Sequence, residues 1–160
     1  MTTKDVESGG GEYQGFEESL RQRIAKYEGP KREMLTHAPD LFRTLADLLE
    51  DPRVPRECRG PICAGIAYFV VPFDVVAEEI FGPEGYLDDL FLAADVLLRV
   101  RPDLPPGVLE ECWRLPGPAD EVLADIHRRT AAELGDRTKA IFDYVGLEAP
   151  EAETLKPRPR

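Results

Sequence analysis

Residues 60–100 read GPICAGIAYFVVPFDVVAEEIFGPEGYLDDLFLAADVLLRV. Apolar side chains dominate this stretch, yet residues 61–100 carry seven acidic residues and a single base, Arg99. Seven minus one gives six of the chain's eleven net negative charges. An acidic side chain among apolar neighbours must be paired, placed at a helix end, bound to a cation or exposed on a working surface, because an isolated buried charge is strongly disfavoured. The stretch therefore bears on both the fold and the candidate site.

Two helices are predicted within this stretch. The first, Pro61–Val71, is apolar on every side and is ended by Pro72, which cannot supply the helical N–H. The second, Tyr86–Val100, has a wide apolar face and a thin polar stripe in which Asp95 and Arg99 stand four residues apart and can pair. A helix without a polar face belongs inside a bundle, so the two are predicted to form an antiparallel central hairpin.

Apolar residues at helical spacing predict further helices around this hairpin. They cover about residues 16–27, 38–51, 108–113 and 117–145, the last with Gly135 as a kink. Strand-like alternation is absent from the sequence. The predicted fold is all-α, a small bundle of about five to six helices around a central apolar helical hairpin.

The length of 160 residues predicts one helical domain, residues 15–147. Residues 1–14, with three consecutive glycines, and the Pro-rich, charged residues 148–160 have too little apolar surface to order themselves, and both are predicted to be flexible. The net charge of -11 argues against a nucleic-acid partner, because proteins bind nucleic acids through patches of Lys and Arg. The same charge disfavours anionic membrane surfaces.

The cysteines, the N-terminal sequence and the potential nucleophiles and bases indicate the cellular location and whether catalysis is expected. Three cysteines without CxxC spacing indicate a reduced chain, and no signal peptide or 18-residue apolar span is present, so we expect a cytoplasmic protein, with a peripheral membrane location as the alternative. Cys63 is predicted to be a small core residue and His127 an exposed or partly packed one rather than a base. Both serines, Ser8 and Ser19, lie near the flexible end. Catalysis is thus not the leading interpretation.

The segments LLEDPRVP (residues 48–55) and AYFVVPFDVVAEEIFGPEGYLDDLFLAADVL (67–97) resemble the DUF1232 family, also called YkvA-like. That family's pattern is a D-P-R-V-P entry, an apolar helix ending Y-x-x-x-P-x-D, and G-Y-L-D-D opening the next helix. Between these two helices the family has a short connection that commonly contains Pro-Asp soon after the first Asp. This chain has Ala77-Glu78 there. The resemblance implies a small helical domain, in some relatives membrane-associated, and supplies no established activity.

The acidic residues of the hairpin form a candidate cluster: Asp74, Glu78, Glu79, Asp88 and Asp89. A helical hairpin brings the ends of its linker together, and oxygen-only clusters suit Mg²⁺, Mn²⁺ or Ca²⁺. One hypothesis is therefore a divalent-cation-binding protein or metal-dependent hydrolase. The alternative is structural, with the acids favouring a positive helix N-terminus.

Asp89 separates these two interpretations. It projects from an otherwise apolar arc of its helix, so its carboxylate must be held near the core. The candidate partners of this carboxylate are backbone N–H groups, the Tyr68 hydroxyl, the guanidinium of Arg53 or Arg59, or a bound cation.

The leading hypothesis is a non-enzymatic interaction or accessory module, docking on an unknown protein partner or a membrane. The candidate contact surface consists of Phe73, Ile80, Phe81 and Tyr86 in and beside the connection. Connecting segments are usually polar, and exposed apolar patches mark contacts. The sequence does not specify the oligomeric state.

Overall fold

The computed structural model describes residues 8–29, 31–70 and 86–148, with side chains from residue 15 onward. Their helices are α1 (Ser8–Ala25), α2 (Arg32–Leu35), α3 (Ala38–Glu50), α4 (Arg56–Val70), α5 (Leu87–Val100), α6 (Val108–Cys112), α7 (Ala119–Leu134) and α8 (Arg137–Val145). A 3₁₀ turn, Arg101–Asp103, follows α5. No strand occurs in these ranges, and the all-α prediction is confirmed.

Helix α5 lies at the centre of the bundle. Each of its residues except Arg99 is buried. Helices α3, α4, α7 and α8 all pack against it. The predicted central helix is thus confirmed, with Tyr86 in a 3₁₀ turn immediately before it.

Helix α4 packs beside α5 and runs antiparallel to it. Tyr68, near the end of α4, hydrogen-bonds Asp88 at the start of α5. Gly65, one turn earlier, faces Val96 farther along α5: a Cβ at Gly65 would lie 3.7 Å from the Val96 Cγ2 and 3.2 Å from the Leu45 Cδ1. The lack of a side chain at Gly65 allows α3, α4 and α5 to meet closely.

The prediction that α4 starts at Pro61 is wrong, because the helix begins at Arg56. Its first turn is already closed by the bond from the Cys58 N–H to the Pro55 carbonyl, 3.0 Å. Pro61 forgoes only the bond to the carbonyl of Glu57, which lies in the exposed first turn, where water can bond that carbonyl instead.

Burial of α4 on every side was also expected, and that is wrong for one of its faces. Gly60, Cys63, Ala67 and Val70 are exposed, so Cys63 is not a core residue. A continuous apolar sequence reveals that a helix can be buried all round, but not whether its neighbours cover every face.

The D-P-R-V-P entry forms the turn between α3 and α4. The Asp51 carboxylate accepts hydrogen bonds from the Arg53 guanidinium and from the Arg53 backbone N–H, which hold the pKa of Asp51 at about 2. Arg59 donates to the carbonyls of Leu49 and Asp51, which α3 leaves without helical partners at its C-terminus. The motif therefore fixes the junction of two helices.

The single long helix predicted over residues 117–145 is two helices. Gly135 ends α7 with a φ of 57°, in the region that favours glycine, and α8 begins at Arg137. The break turns α8 so that Ile141 and Phe142 are buried in the core.

The remaining helices follow the sequence closely. Helix α3 starts at Ala38 as predicted, with Pro39 in its first turn, and α6 occupies the predicted short segment. Helix α1 begins at Ser8, inside the segment predicted to be flexible. Residues 1–7 and 149–160 lie outside the described ranges, so the domain boundaries remain predictions. None of the described helices combines the length and the apolarity needed to cross a membrane.

We expect Gly65→Leu to lower the free energy of unfolding by about 1–3 kcal/mol, because the new side chain must enter the contact between α3, α4 and α5. Urea unfolding measures the effect. The matched control, Cys63→Leu, puts the same side chain on the exposed side of α4 and is expected to change stability by no more than about 0.5 kcal/mol. Equal losses in the two variants would contradict the packing described for α4.

His37, immediately before α3, gives the fold a pH dependence. Burial lowers the pKa of its imidazole below the ordinary 6.5, while the carboxylates of Glu33 and Asp40 partly oppose that shift. Between the lowered pKa and 6.5 the unfolded chain binds more protons than the folded one. The stability that comes from keeping His37 neutral is therefore fully present above pH 6.5, and the free energy of unfolding decreases as the pH falls through that window. Urea unfolding between pH 5 and 7 is expected to show a smaller acid loss for His37→Gln than for the wild type, and identical slopes would refute the assignment.

Candidate functional site

Helix α5 carries three buried acidic side chains. Asp88 and Asp95 are 0% exposed and Asp89 is 1% exposed. Asp88 and Asp89 lie in the first turn, where the helix dipole favours negative charge. This placement agrees with the structural interpretation of the two acids.

Asp88 links the two central helices. The buried Tyr68 hydroxyl donates a hydrogen bond to Asp88 Oδ2 over 2.9 Å. A hydrogen bond to a buried carboxylate offsets part of the cost of removing that charge from water. The bond therefore connects the C-terminal end of α4 to the start of α5.

Asp89 lies in the core, as its position on an apolar arc predicts. The suggestion that Arg53 or Arg59 holds it is wrong. Arg53 bonds Asp51 and Glu111, and Arg59 donates to backbone carbonyls at the end of α3. Both guanidinium groups are thus committed to the turn before α4.

Asp95 has donors from two helices. Arg99 donates to its Oδ2 through Nε at 3.2 Å and Nη2 at 3.0 Å, which confirms the predicted pair, and His127 Nε2 on α7 lies 3.1 Å from Oδ1. An ionised carboxylate only accepts, so Nε2 carries the shared hydrogen. Asp95 is therefore bonded both within α5 and across to α7.

Aromatic rings surround this charged group and tie in α8. The His127 ring lies 4.8 Å from the Phe91 ring, which in turn lies 5.4 Å from the Phe142 ring, centroid to centroid. The Arg99 guanidinium stands 5.6 Å from the Phe142 centroid, within cation–π range. Asp95, Arg99, His127, Phe91 and Phe142 are together called the Asp95 cluster below.

The prediction for His127 as a partly packed residue is confirmed, since its side chain is 13% exposed. Its bond to Asp95 was not anticipated, because the two residues are 32 positions apart. The sequence signal for a second partner was indirect. Both oxygens of a buried aspartate need hydrogen-bond donors, and an arginine four residues later donates to only one of them. In the Asp95 cluster, both oxygens of the buried Asp95 carboxylate therefore have hydrogen-bond partners.

The acidic cluster is only partly visible. Asp74, Glu78 and Glu79 lie outside the described residues. Among those that are described, no group of three His, Cys, Asp or Glu side chains could hold a metal ion. The cation hypothesis therefore remains a prediction.

A second candidate site is the exposed side of α4, formed by Gly60, Cys63, Ala67 and Val70 and called the α4 face below. From Gly60 to the end of the helix no residue is charged. Val70 is 49% exposed, and of the large apolar side chains that the structure describes only Tyr144 is likewise exposed. The α4 face is thus an uncharged surface about three turns long.

A groove of about 430 Å³ adjoins the α4 face. It is lined by Ala64, Ala67, Tyr68, Tyr144 and Val145, from α4 and α8. Tyr144 is 56% exposed, and its ring stands edge-on to that of Tyr68 at 5.9 Å. The groove and the α4 face adjoin each other and share Ala67.

Of the predicted contact surface, Phe73, Ile80 and Phe81 lie outside the described residues. Tyr86 is 3% exposed, and its hydroxyl accepts a hydrogen bond from Arg23 over 3.2 Å. The contact surface itself remains a prediction. The α4 face was not found from the sequence because its small residues also suit a helix interior.

We expect Asp95→Asn to lower the free energy of unfolding by about 1.5–3 kcal/mol, because it weakens charged hydrogen bonds to Arg99 and His127 inside the bundle. The control is Asp125→Asn on α7, where the carboxylate pairs with Arg128 and Arg129 near the surface and its loss should cost about 1 kcal/mol or less. Urea unfolding compares them. A larger loss at Asp125 would contradict the role given to the Asp95 cluster.

For Asp89→Asn the structural interpretation, in which protein groups hold the buried carboxylate, predicts a loss of about 1–3 kcal/mol whether or not a divalent cation is present. Thermal unfolding with and without Mg²⁺, Mn²⁺ or Ca²⁺ checks this. A cation-dependent rise in melting temperature that the variant loses would instead favour the cation hypothesis.

Comparisons with known proteins agree with the resemblance noted in the sequence. The model of the family "Protein of unknown function (DUF1232)" matches residues 59–94, which cover most of α4 and the first half of α5. The chain is 32% identical over 133 residues to "Uncharacterized protein ORF9" of Methanothermobacter thermautotrophicus, covering 83% of this chain and 88% of that protein. No solved structure matches. The chain belongs to the DUF1232 family.

Proposed function

We propose that the chain is a non-enzymatic interaction module that docks on a protein partner through the α4 face and the adjoining groove. The observation that carries this proposal is the uncharged, exposed side of α4, because charged residues make up 32% of the chain but none of the helix from Gly60 to Val70. Exposed apolar surface of this kind marks contact sites.

The shape of the surface favours an apolar helix as the docked element. The small side chains at Gly60, Cys63 and Ala67 allow another helix to approach closely, since interaxial distance depends on the side chains at the contact. The groove beside them is large enough for an apolar or aromatic anchor from the partner. Helix-in-groove recognition is an established mode of peptide binding.

Charge favours a protein over a membrane as the occupant. A net charge of -11 repels anionic lipid surfaces. Interfacial membrane helices combine Lys and Arg on the polar face with Trp, Phe or Leu on the other, whereas the α4 face presents Gly, Cys, Ala and Val. A peripheral membrane contact is therefore the alternative that the experiment must separate.

The lining of the groove supports binding rather than catalysis. Among the described residues, the side chains that line it are those of two alanines, one valine and two tyrosines. The titratable groups of the Asp95 cluster bond one another within the bundle. The two tyrosine hydroxyls are the titratable groups of the described lining, and that of Tyr68 already donates a hydrogen bond to the buried Asp88.

The proposal is tested by a matched pair of charge insertions. Ala67→Glu places a carboxylate on the α4 face, and Ala132→Glu places the same side chain at an exposed position of α7. Tagged wild-type protein first isolates the partner from the native organism, and the dissociation constant is then measured with purified components. We expect Ala67→Glu to weaken binding at least about tenfold, or 1.4 kcal/mol, and Ala132→Glu to bind like the wild type.

Melting temperatures near that of the wild type for both variants exclude unfolding as the cause. Equal affinities of the two variants for the partner would exclude the α4 face. Self-association of the wild type that Ala67→Glu abolishes, without another partner, would identify a second copy as the occupant. Binding to vesicles instead of protein would favour the membrane alternative, and either outcome would overturn the proposal.

A further inference from the structure

We draw no further inference here: the strongest candidate, the exposed thiol of Cys63 beside the groove between α4 and α8, belongs to the surface already proposed for docking, and nothing in the described residues shows what covers it.

Discussion

The burial of every residue of α5 except Arg99 is the constraint from which the rest of the bundle follows. Such a helix must be covered on nearly every side, and α3, α4, α7 and α8 pack against it. The cover must also supply hydrogen bonds, because Asp95 lies at 0% exposure within the helix. His127 provides one from α7, and Arg99 of α5 itself provides others while packing on Phe142 of α8. Hydrophobic covering and charge satisfaction therefore use the same helices.

The central hairpin is asymmetric, and this asymmetry produces the candidate contact surface. Helix α5 is enclosed, whereas α4 gives one side to α3 and α5 and leaves the other exposed. Gly65 on the inner side sets how closely the three helices approach. Outside, the same small-residue composition leaves a surface without charge. One apolar sequence thus serves the core on one side and provides a binding surface on the other.

The sequence predicted the helical class because apolar residues recur at helical spacing, and the central hairpin because the two segments on either side of the connection that begins at Pro72 are apolar nearly all round. It also predicted the Asp95–Arg99 pair, which is local. What it missed depends on neighbours distant in the chain: the bond from His127 to Asp95, and the uncovered side of α4. The division at Gly135 was underestimated because a helical glycine and a helix-ending glycine look alike until φ is known. Of the acidic cluster, only the placement of Asp88 and Asp89 is now established.

The most direct test of the α4 face uses the chain's own thiols. All three cysteines are free; Cys63 is exposed, whereas burial raises the pKa of the Cys58 and Cys112 thiols and shields both. The measurement is the rate at which a neutral maleimide modifies each cysteine, in the purified wild-type chain and in its complex with the isolated partner. The account predicts that Cys63 alone reacts rapidly in the purified chain and becomes protected in the complex. An unchanged rate at Cys63 in the complex would contradict the claim that the α4 face is the contact surface.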